Sequence, residues 1–237
     1  MQTIELGDIQ VDVIKKDIKN LHLSVLPPSG RVRISAPLRM DLENIRVFAI
    51  SRLGWIKTQQ NRMRSQLRES PREYVERESH YLWGRRYLLQ IIEAGARPGI
   101  KLHPRRIIMS VRPGASEEKR QQVLDEWYRQ ALKDAIPPLI EKWARLIGVE
   151  PPRFEVRIMK TMWGSCTPSA RLIRLNLELV KKPPECLEYI VVHELLHLLE
   201  PTHNARFVAL MNQFMPKWAL YREELNRLPV RHEEWEY

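Results

Sequence analysis

Between Leu187 and Leu199 the chain carries an apolar run without a polar face: Leu187, Tyr189, Ile190, Val191, Val192, Leu195, Leu196, Leu198 and Leu199. At about 100° per residue these side chains fall on every side of a helix, and a helix that is apolar all round has to be buried. Pro183-Pro184-Glu185 opens it, because proline is tolerated in a first turn and Glu185 and Glu188 sit near the positive end of the helix dipole. The same run contains His193, Glu194 and His197. Burying three ionisable groups without partners costs several kcal/mol, so the fold has to supply something that compensates them.

The spacing H-E-L-L-H names the compensation. Residues four apart lie one turn apart on one helix face, so His193 and His197 can reach a single metal ion. Zn2+ is the default ion for neutral imidazole ligands, and Glu194, about 100° round the helix, is placed to act as general base toward water. His203 follows six residues after His197, and Pro201 ends the helix between them, so the chain can turn and bring His203 back as a third ligand. Three protein ligands with a fourth position left for water is the catalytic pattern. A carboxylate of the next helix, Glu223 or Glu224, is the alternative third ligand, and Cys166 is a further candidate by residue type. Without a metal, the histidines would be core groups satisfied by hydrogen bonds. His22, His80, His103 and His232 fall outside the constellation and are expected at the surface.

A chain of 237 residues can bury a real core, as one large domain or two modest ones. The run from Tyr189 to Leu199 is interrupted by charge well short of the ~18 residues a spanning helix needs. The first ten residues, MQTIELGDIQ, lack a positive segment followed by an apolar one. Cys166 and Cys186 are too few for a disulfide framework. These features predict a soluble cytoplasmic protein with no membrane partner. The net charge of +10 is uneven: residues 1–112 hold 21 Lys and Arg against 11 Asp and Glu, and residues 113–237 hold 18 against 18. A basic N-terminal module, 1–112, and a second domain, 113–237, are therefore expected to meet at Arg112-Pro113-Gly114. The basic half points to nucleic acid, a nucleotide or another polyanion as partner. The plain alternative is a solvated surface that confers solubility.

Period-two patterns predict strands at Ile9–Val13, Leu21–Val25 and Val32–Ala36, the last two joined as a hairpin by Pro27-Pro28-Ser29-Gly30 with Arg31 and Arg33 on its polar face. Asp41 caps a helix carrying Leu42, Ile45, Phe48, Leu53 and Ile56 and running toward Gln66. After Pro71, further strands are read at Tyr81–Trp83, Tyr87–Ile92 and Ile107–Val111. Ser116 caps a helix broken or restarted at Pro137-Pro138 and ended by Gly148. Strands follow at Phe154–Ile158 and Leu172–Leu179. Trp163-Gly164-Ser165-Cys166 reads either as a strand edge beside the metal, where a substrate backbone pairs, or as a Trp packed on the buried helix with Gly164 permitting close approach.

Lys160-x-x-Trp163-Gly164-Ser165-Cys166, Arg174-Leu175-Asn176, Val191-Val192-His193-Glu194-Leu195-x-His197 and His203-x-x-x-Phe207 together resemble the YgjP-like metal-dependent hydrolases, relatives of the SprT-like zinc peptidases. The first half is similar in Gly30-Arg31-Val32-Arg33-Ile34, Gly54-Trp55-Ile56 and Tyr81-Leu82-Trp83-Gly84-Arg85-Arg86-Tyr87, so the resemblance covers nearly the whole chain. It implies metal ligands at His193, His197 and His203 and a catalytic glutamate at Glu194. It also implies two substrate classes, since the family is classed among metallopeptidases while a pyrophosphatase activity on UTP is attributed to it. The histidine spacing equals that of metzincins, but Glu200 stands where their pattern has glycine.

The sequence thus predicts an α+β chain: a small basic α+β module followed by a zincin-like metallopeptidase domain with H-E-x-x-H on a buried helix. The expected activity is that of a zinc-dependent hydrolase acting on peptide or protein. A nucleoside triphosphate pyrophosphatase using the same metal is the alternative, weakened by the lack of a Gly-rich phosphate loop or an evident carboxylate cluster for Mg2+. A zinc-stabilised nucleic-acid-binding protein without catalysis is the third reading, and no standard base-reading motif supports it.

Overall fold

The computed structural model describes residues 2–26, 30–65, 72–95, 97–159 and 162–227, and the chain separates into a unit of residues 1–68 and a unit of residues 69–232. The expected turn at Pro27-Pro28-Ser29, Gln66, Pro71, Lys160 and His232 lie outside the described residues.

In the first unit, strands β1 (Gln2–Leu6), β2 (Ile9–Lys16), β3 (His22–Leu26) and β4 (Arg31–Pro37) form one sheet in the order β1-β2-β4-β3. β4 is parallel to β2 and antiparallel to β3. Alternation decides which side chains go inward. Val11, Val13, Val32, Ile34 and Ala36 join Ile45, Ala49 and Ile56 of helices α1 (Leu42–Ser51) and α2 (Leu53–Ser65) in one apolar cluster. β1 was not anticipated, although Ile4 and Leu6 turn inward while Thr3 and Glu5 stay exposed. Asp41 caps α1, its Oδ1 accepting from the Asn44 N–H at 2.7 Å. The single helix read from the sequence is two, because the Arg52 N–H bonds back to Ala49 at 3.1 Å and that tighter turn ends α1. Arg31 spends its charge on Asp12, a buried carboxylate of β2.

In the second unit, β5 (Ser79–Leu82), β6 (Arg85–Glu93), β7 (Gly99–Leu102) and β8 (Arg106–Val111) are ordered β5-β6-β8-β7. Their inner face, with Tyr87, Leu89, Ile107, Met109 and Val111, shares a core with Leu124, Tyr128, Leu132 and Ile136 of the 31-residue helix α3 (Glu117–Ile147). The compact units accordingly divide near residue 68 and not near 112, since residues 79–111 pack with α3. β7 was missed because no side chain on it is fully buried and so alternation is weak. His80 corrects a surface expectation. It lies on the inner face of β5, 3% exposed, with Nε2 3.1 Å from Glu78 Oε2 and its ring stacked on Tyr74, while His22 and His103 are exposed.

Ser116 caps α3 through the Lys119 N–H, and Gly148, at φ 81°, ends it in the left-handed conformation. Pro137 and Pro138 do not break this helix. A proline inside a helix costs about 3 kcal/mol, but Leu132, Ile136, Ile140 and Trp143 continue one buried stripe across the pair. At about 1.5–3 kcal/mol for each large apolar side chain buried, packing outweighs the lost backbone hydrogen bonds.

A third sheet, ordered β10-β11-β9, contains β9 (Arg153–Arg157), β10 (Gly164–Thr167) and β11 (Leu172–Asn176), so β10 is a terminal strand. The strand expected through Leu179 stops at Asn176, and Leu177–Lys181 turn into a short 3-10 helix. Asn176 causes the change: its Oδ1 accepts from the Glu178 N–H at 3.2 Å, an Asx cap that competes with the ladder. Leu177, Leu179 and Val180 are buried all the same.

Helices α4 (Pro184–Leu196), α5 (Ala205–Phe214) and α6 (Trp218–Arg227) complete the unit. The β5–β6 turn, Trp83-Gly84, has positive φ at both residues, and its N–H groups donate to Val180 and Lys181 carbonyls at 2.8 and 3.2 Å. A Cβ on Gly84 would stand 3.1 Å from Pro183 Cγ, so glycine lets this turn brace the start of α4. The described residues thus form a mixed α+β fold of three small sheets and six α-helices. Among them, no helix is long and apolar enough to cross a membrane.

Candidate metal centre

The last turn of α4 carries His193 and Glu194, His197 is its C-terminal cap, and His203 precedes Asn204, which caps α5. The Nε2 atom of His193 lies 3.2 Å from that of His197 and 2.9 Å from that of His203. One ligand atom from each of the three side chains falls within 4.8 Å of the others. The buried Phe207 ring lies 4.7–4.9 Å from all three imidazole centroids and forms an apolar seat for them. His197 Nδ1 is 3.0 Å from the Glu200 carbonyl. A carbonyl only accepts, so Nδ1 carries the proton and Nε2 keeps its lone pair toward the cluster. The Glu200 N–H in turn donates to the Leu196 carbonyl at 2.9 Å, fixing that oxygen to the end of α4.

Electrostatics disfavour the charged forms of His193 and His203. Burial first, and then the neighbouring His197, His203 and Arg222 charges, push the His193 imidazolium down to about 3. His203 is lowered by the same kinds of cause, burial leading. Neutral imidazole lone pairs this close repel one another unless a cation lies between them. Two nitrogens at about 2.0–2.1 Å from a tetrahedral zinc stand roughly 3.3 Å apart, near the separations found here. The donor set therefore fits a metal ion.

Glu194 is 3% exposed, burial pushes its carboxyl up to about 8, and its Oε2 has no hydrogen-bond partner among the described residues. It sits against β10. A Cβ on Gly164 would stand 2.5 Å from Glu194 Oε1, 2.9 Å from its Cγ and 2.9 Å from Ile190 Cγ2. Gly164→Ala is thus expected to displace Glu194 or pry β10 from α4, at an overpacking cost of about 1–3 kcal/mol. The check is a lower melting temperature and reduced activity with metal content unchanged, since the atoms nearest the added methyl belong to Glu194 and Ile190. An unaltered melting temperature and activity would remove Gly164 from the site.

The structure brings His193, His197, His203 and Glu194 together and leaves the alternatives outside. Glu223 and Glu224 lie on α6 and are absent from the cluster, and the Glu224 charge acts on Cys186. Cys166 is likewise absent from the cluster, and burial and then Glu194 push its thiol up to about 11. Arg31 and Arg33 lie on β4 in the first unit, whereas Arg85, Arg86, Arg105 and Arg106 are exposed residues of the second.

A family model described as YgjP-like, metallopeptidase domain, matches residues 19–228. The chain belongs to the YgjP-like family. That membership makes it a metal-dependent peptidase, with a divalent metal and a peptide substrate. No curated protein matches this YgjP-like chain. Among solved structures it is similar to the metallopeptidase zymogen of Pyrococcus abyssi abylysin, at 22% identity and TM-score 0.36, over 40% of this chain and 99% of that one. It is also similar to the metallopeptidase zymogen of Methanocaldococcus jannaschii jannalysin, at 21% identity and TM-score 0.35, over 38% and 87%.

Three features of this YgjP-like centre escaped sequence reading. Phe207 stands in the sequence only as the end of the His203-x-x-x-Phe207 motif, which does not announce that its ring seats the imidazoles. Tyr189 lies one turn before His193, with its ring 5.9 Å from that imidazole. The four-residue spacing that pairs His193 with His197 would have found it. The Glu200 contact is a backbone one and left no signal in residue type.

Proposed function

We propose that the chain is a zincin-like zinc peptidase in which His193, His197 and His203 hold the metal and Glu194 is the general base. The observation that carries this reading is the buried carboxylate of Glu194, with an unpartnered Oε2, next in sequence to His193, whose imidazole converges with those of His197 and His203. Zinc would supply Lewis acidity toward a carbonyl oxygen and acidify water. Glu194 accepts the proton that water loses on adding to the scissile carbonyl carbon, and returns it to the amine nitrogen as the C–N bond breaks. Burial raises its proton affinity, which makes its ionised form a stronger proton acceptor.

The peptide reading draws further support from β10. As the terminal strand of its sheet it pairs with β11 on one side. Its other edge offers backbone groups to an extended chain, and Gly164 sets it beside Glu194. All of these residues fall within the unit of residues 69–232.

The test is to incubate the metal-loaded protein in parallel with an unfolded protein, capped neutral peptides and UTP. New amino termini should appear, chelation should stop their release, and about one zinc per chain should restore it. Pyrophosphate release without peptide cleavage would overturn the proposal.

A further inference from the structure

A cavity of about 700 Å³ lies where the β5–β6 hairpin, α3 and the first turns of α4 meet. From α4 it takes Pro184, Glu185, Leu187 and Glu188 as its wall. At about 100° per residue, these four side chains centre on the side of the helix opposite His193 and His197. Neither the imidazoles nor Glu194 line the space, so it is separate from the metal centre. From α3 it takes Ala135 and Pro138, small side chains where larger ones would fill it. Its lining is apolar out to the surface, where Leu102 is 47% exposed and Trp83 is half-buried. A mostly apolar cavity of this size encloses a small ligand, and the polar groups on its wall fix which kind.

Glu188 is already taken, since its Oε1 accepts from Lys142 Nζ at 2.7 Å and from Trp143 Nε1 at 2.8 Å. The other polar ends are free. Among the described residues, the Arg85 guanidinium and the Glu185 carboxylate have no ion pair or hydrogen bond, although both line this cavity. They do not pair with each other. Tyr87 is 8% exposed and lines the same space, and its hydroxyl has no hydrogen-bond partner among the described residues. A cation and an anion kept apart on one apolar wall complement a ligand that carries both charges on an apolar body.

We propose that this cavity binds a short apolar peptide with both ends free, its α-carboxylate on Arg85, its α-ammonium on Glu185 and its side chains against Trp83, Leu102 and Leu187. Short peptides with free ends are what a peptidase releases, so the site holds product-like molecules without competing for the metal. Recognition here is non-covalent and uses none of the groups assigned to hydrolysis.

The experiment is calorimetric binding of the dipeptide Leu-Phe to the full metal-loaded chain, with Glu194→Gln in place so that the peptide bond survives. Adding Arg85→Gln should weaken Leu-Phe by roughly 10–100-fold and leave its C-terminal amide unaffected. Glu185→Gln should weaken Leu-Phe by a similar factor and leave N-acetyl-Leu-Phe unaffected. Both side chains are exposed, so melting temperatures without peptide should stay close to that of the parent. Ala135→Leu, its fold checked by melting temperature, should abolish binding of all these peptides by filling the cavity from α3. Removing the metal should leave the affinity for Leu-Phe unchanged.

No binding of Leu-Phe at millimolar concentration overturns the proposal, as does equal binding in every variant. Binding that disappears with the metal would place the peptide at the histidines and overturn it too. Equal affinity for Leu-Phe and its N-acetyl form would reduce the cavity to a carboxylate site, which also contradicts it. Failure of the peptidase reading shows separately, as absence of cleavage by wild type, and leaves these binding results standing.

Discussion

Glu194→Gln is expected to keep its metal and its fold while losing about 10²–10⁴-fold in kcat. The amide matches the carboxylate in size, so packing against Gly164 and Ile190 is preserved. It cannot accept the proton that water gives up, so the chemical step is lost without loss of substrate affinity. Steady-state kinetics together with metal analysis check this, and equal turnover in both proteins would end the general-base assignment. The same substitution should change how the metal-free protein responds to pH. Glu194 titrates near 8 in the fold and near its ordinary 4.5 when unfolded. The native state therefore holds a proton that the unfolded chain releases. That contribution to stability is fully present below about 4.5 and is lost as pH rises toward 8. Glu194→Gln has no such loss, so its metal-free form should gain on wild type across that window. His193 works in the opposite direction, folded near 3 against an ordinary 6.5, so its contribution is lost as pH falls through that range in both proteins.

The second large effect is on metal retention. His193→Ala, His197→Ala and His203→Ala should each bind zinc more weakly than wild type by more than the roughly 10–100-fold typical of outer-shell changes, since each removes a ligand. A site saturated at about 100 times its dissociation constant adds roughly 2.7 kcal/mol to folding stability. The variants should forfeit that gain, which appears as a smaller rise in melting temperature on adding zinc. His197→Ala also strands the Glu200 carbonyl, so it should be the most damaging in the metal-free state. His203 is exposed, and its removal should leave the metal-free fold nearly unaltered. Full zinc occupancy in His203→Ala, with loss in a Glu223 or Glu224 variant, would move the third ligand onto the carboxylate.

The site was legible because its signals are local. Four-residue spacing places His193 and His197 on one helix face, and an apolar run with no polar face announces that the helix carrying them is buried. The fold was legible where a pattern coincided with a single element, as in β2, β4 and α4. It failed where tertiary contacts chose between conformations of equal pattern. Leu175, Leu177 and Leu179 alternate like one strand, yet the Asn176 side chain turns the last two into a 3-10 helix. Pro137-Pro138 reads as a stop, and a continuous buried stripe overrides it. The charge asymmetry near residue 112 gave no guide to the compact units, because charge reports on surfaces while their boundary follows from which side chains share a core.

Asn176 does more than end a strand. Its Nδ2 donates to the carbonyls of Met159 and Met162 at 2.7 and 2.8 Å, and its Oδ1 faces the N–H groups of Met159 and Glu178 at 3.4 and 3.2 Å. The segment leading into β10 is thereby fastened at both ends by one amide. Aspartate has the same shape but would point oxygen at two carbonyls, and glutamine has the same chemistry one methylene too far out. This position has no near neighbour in amino-acid space. The placement of β10, and with it the close approach of Gly164 to Glu194, hangs on a single side chain.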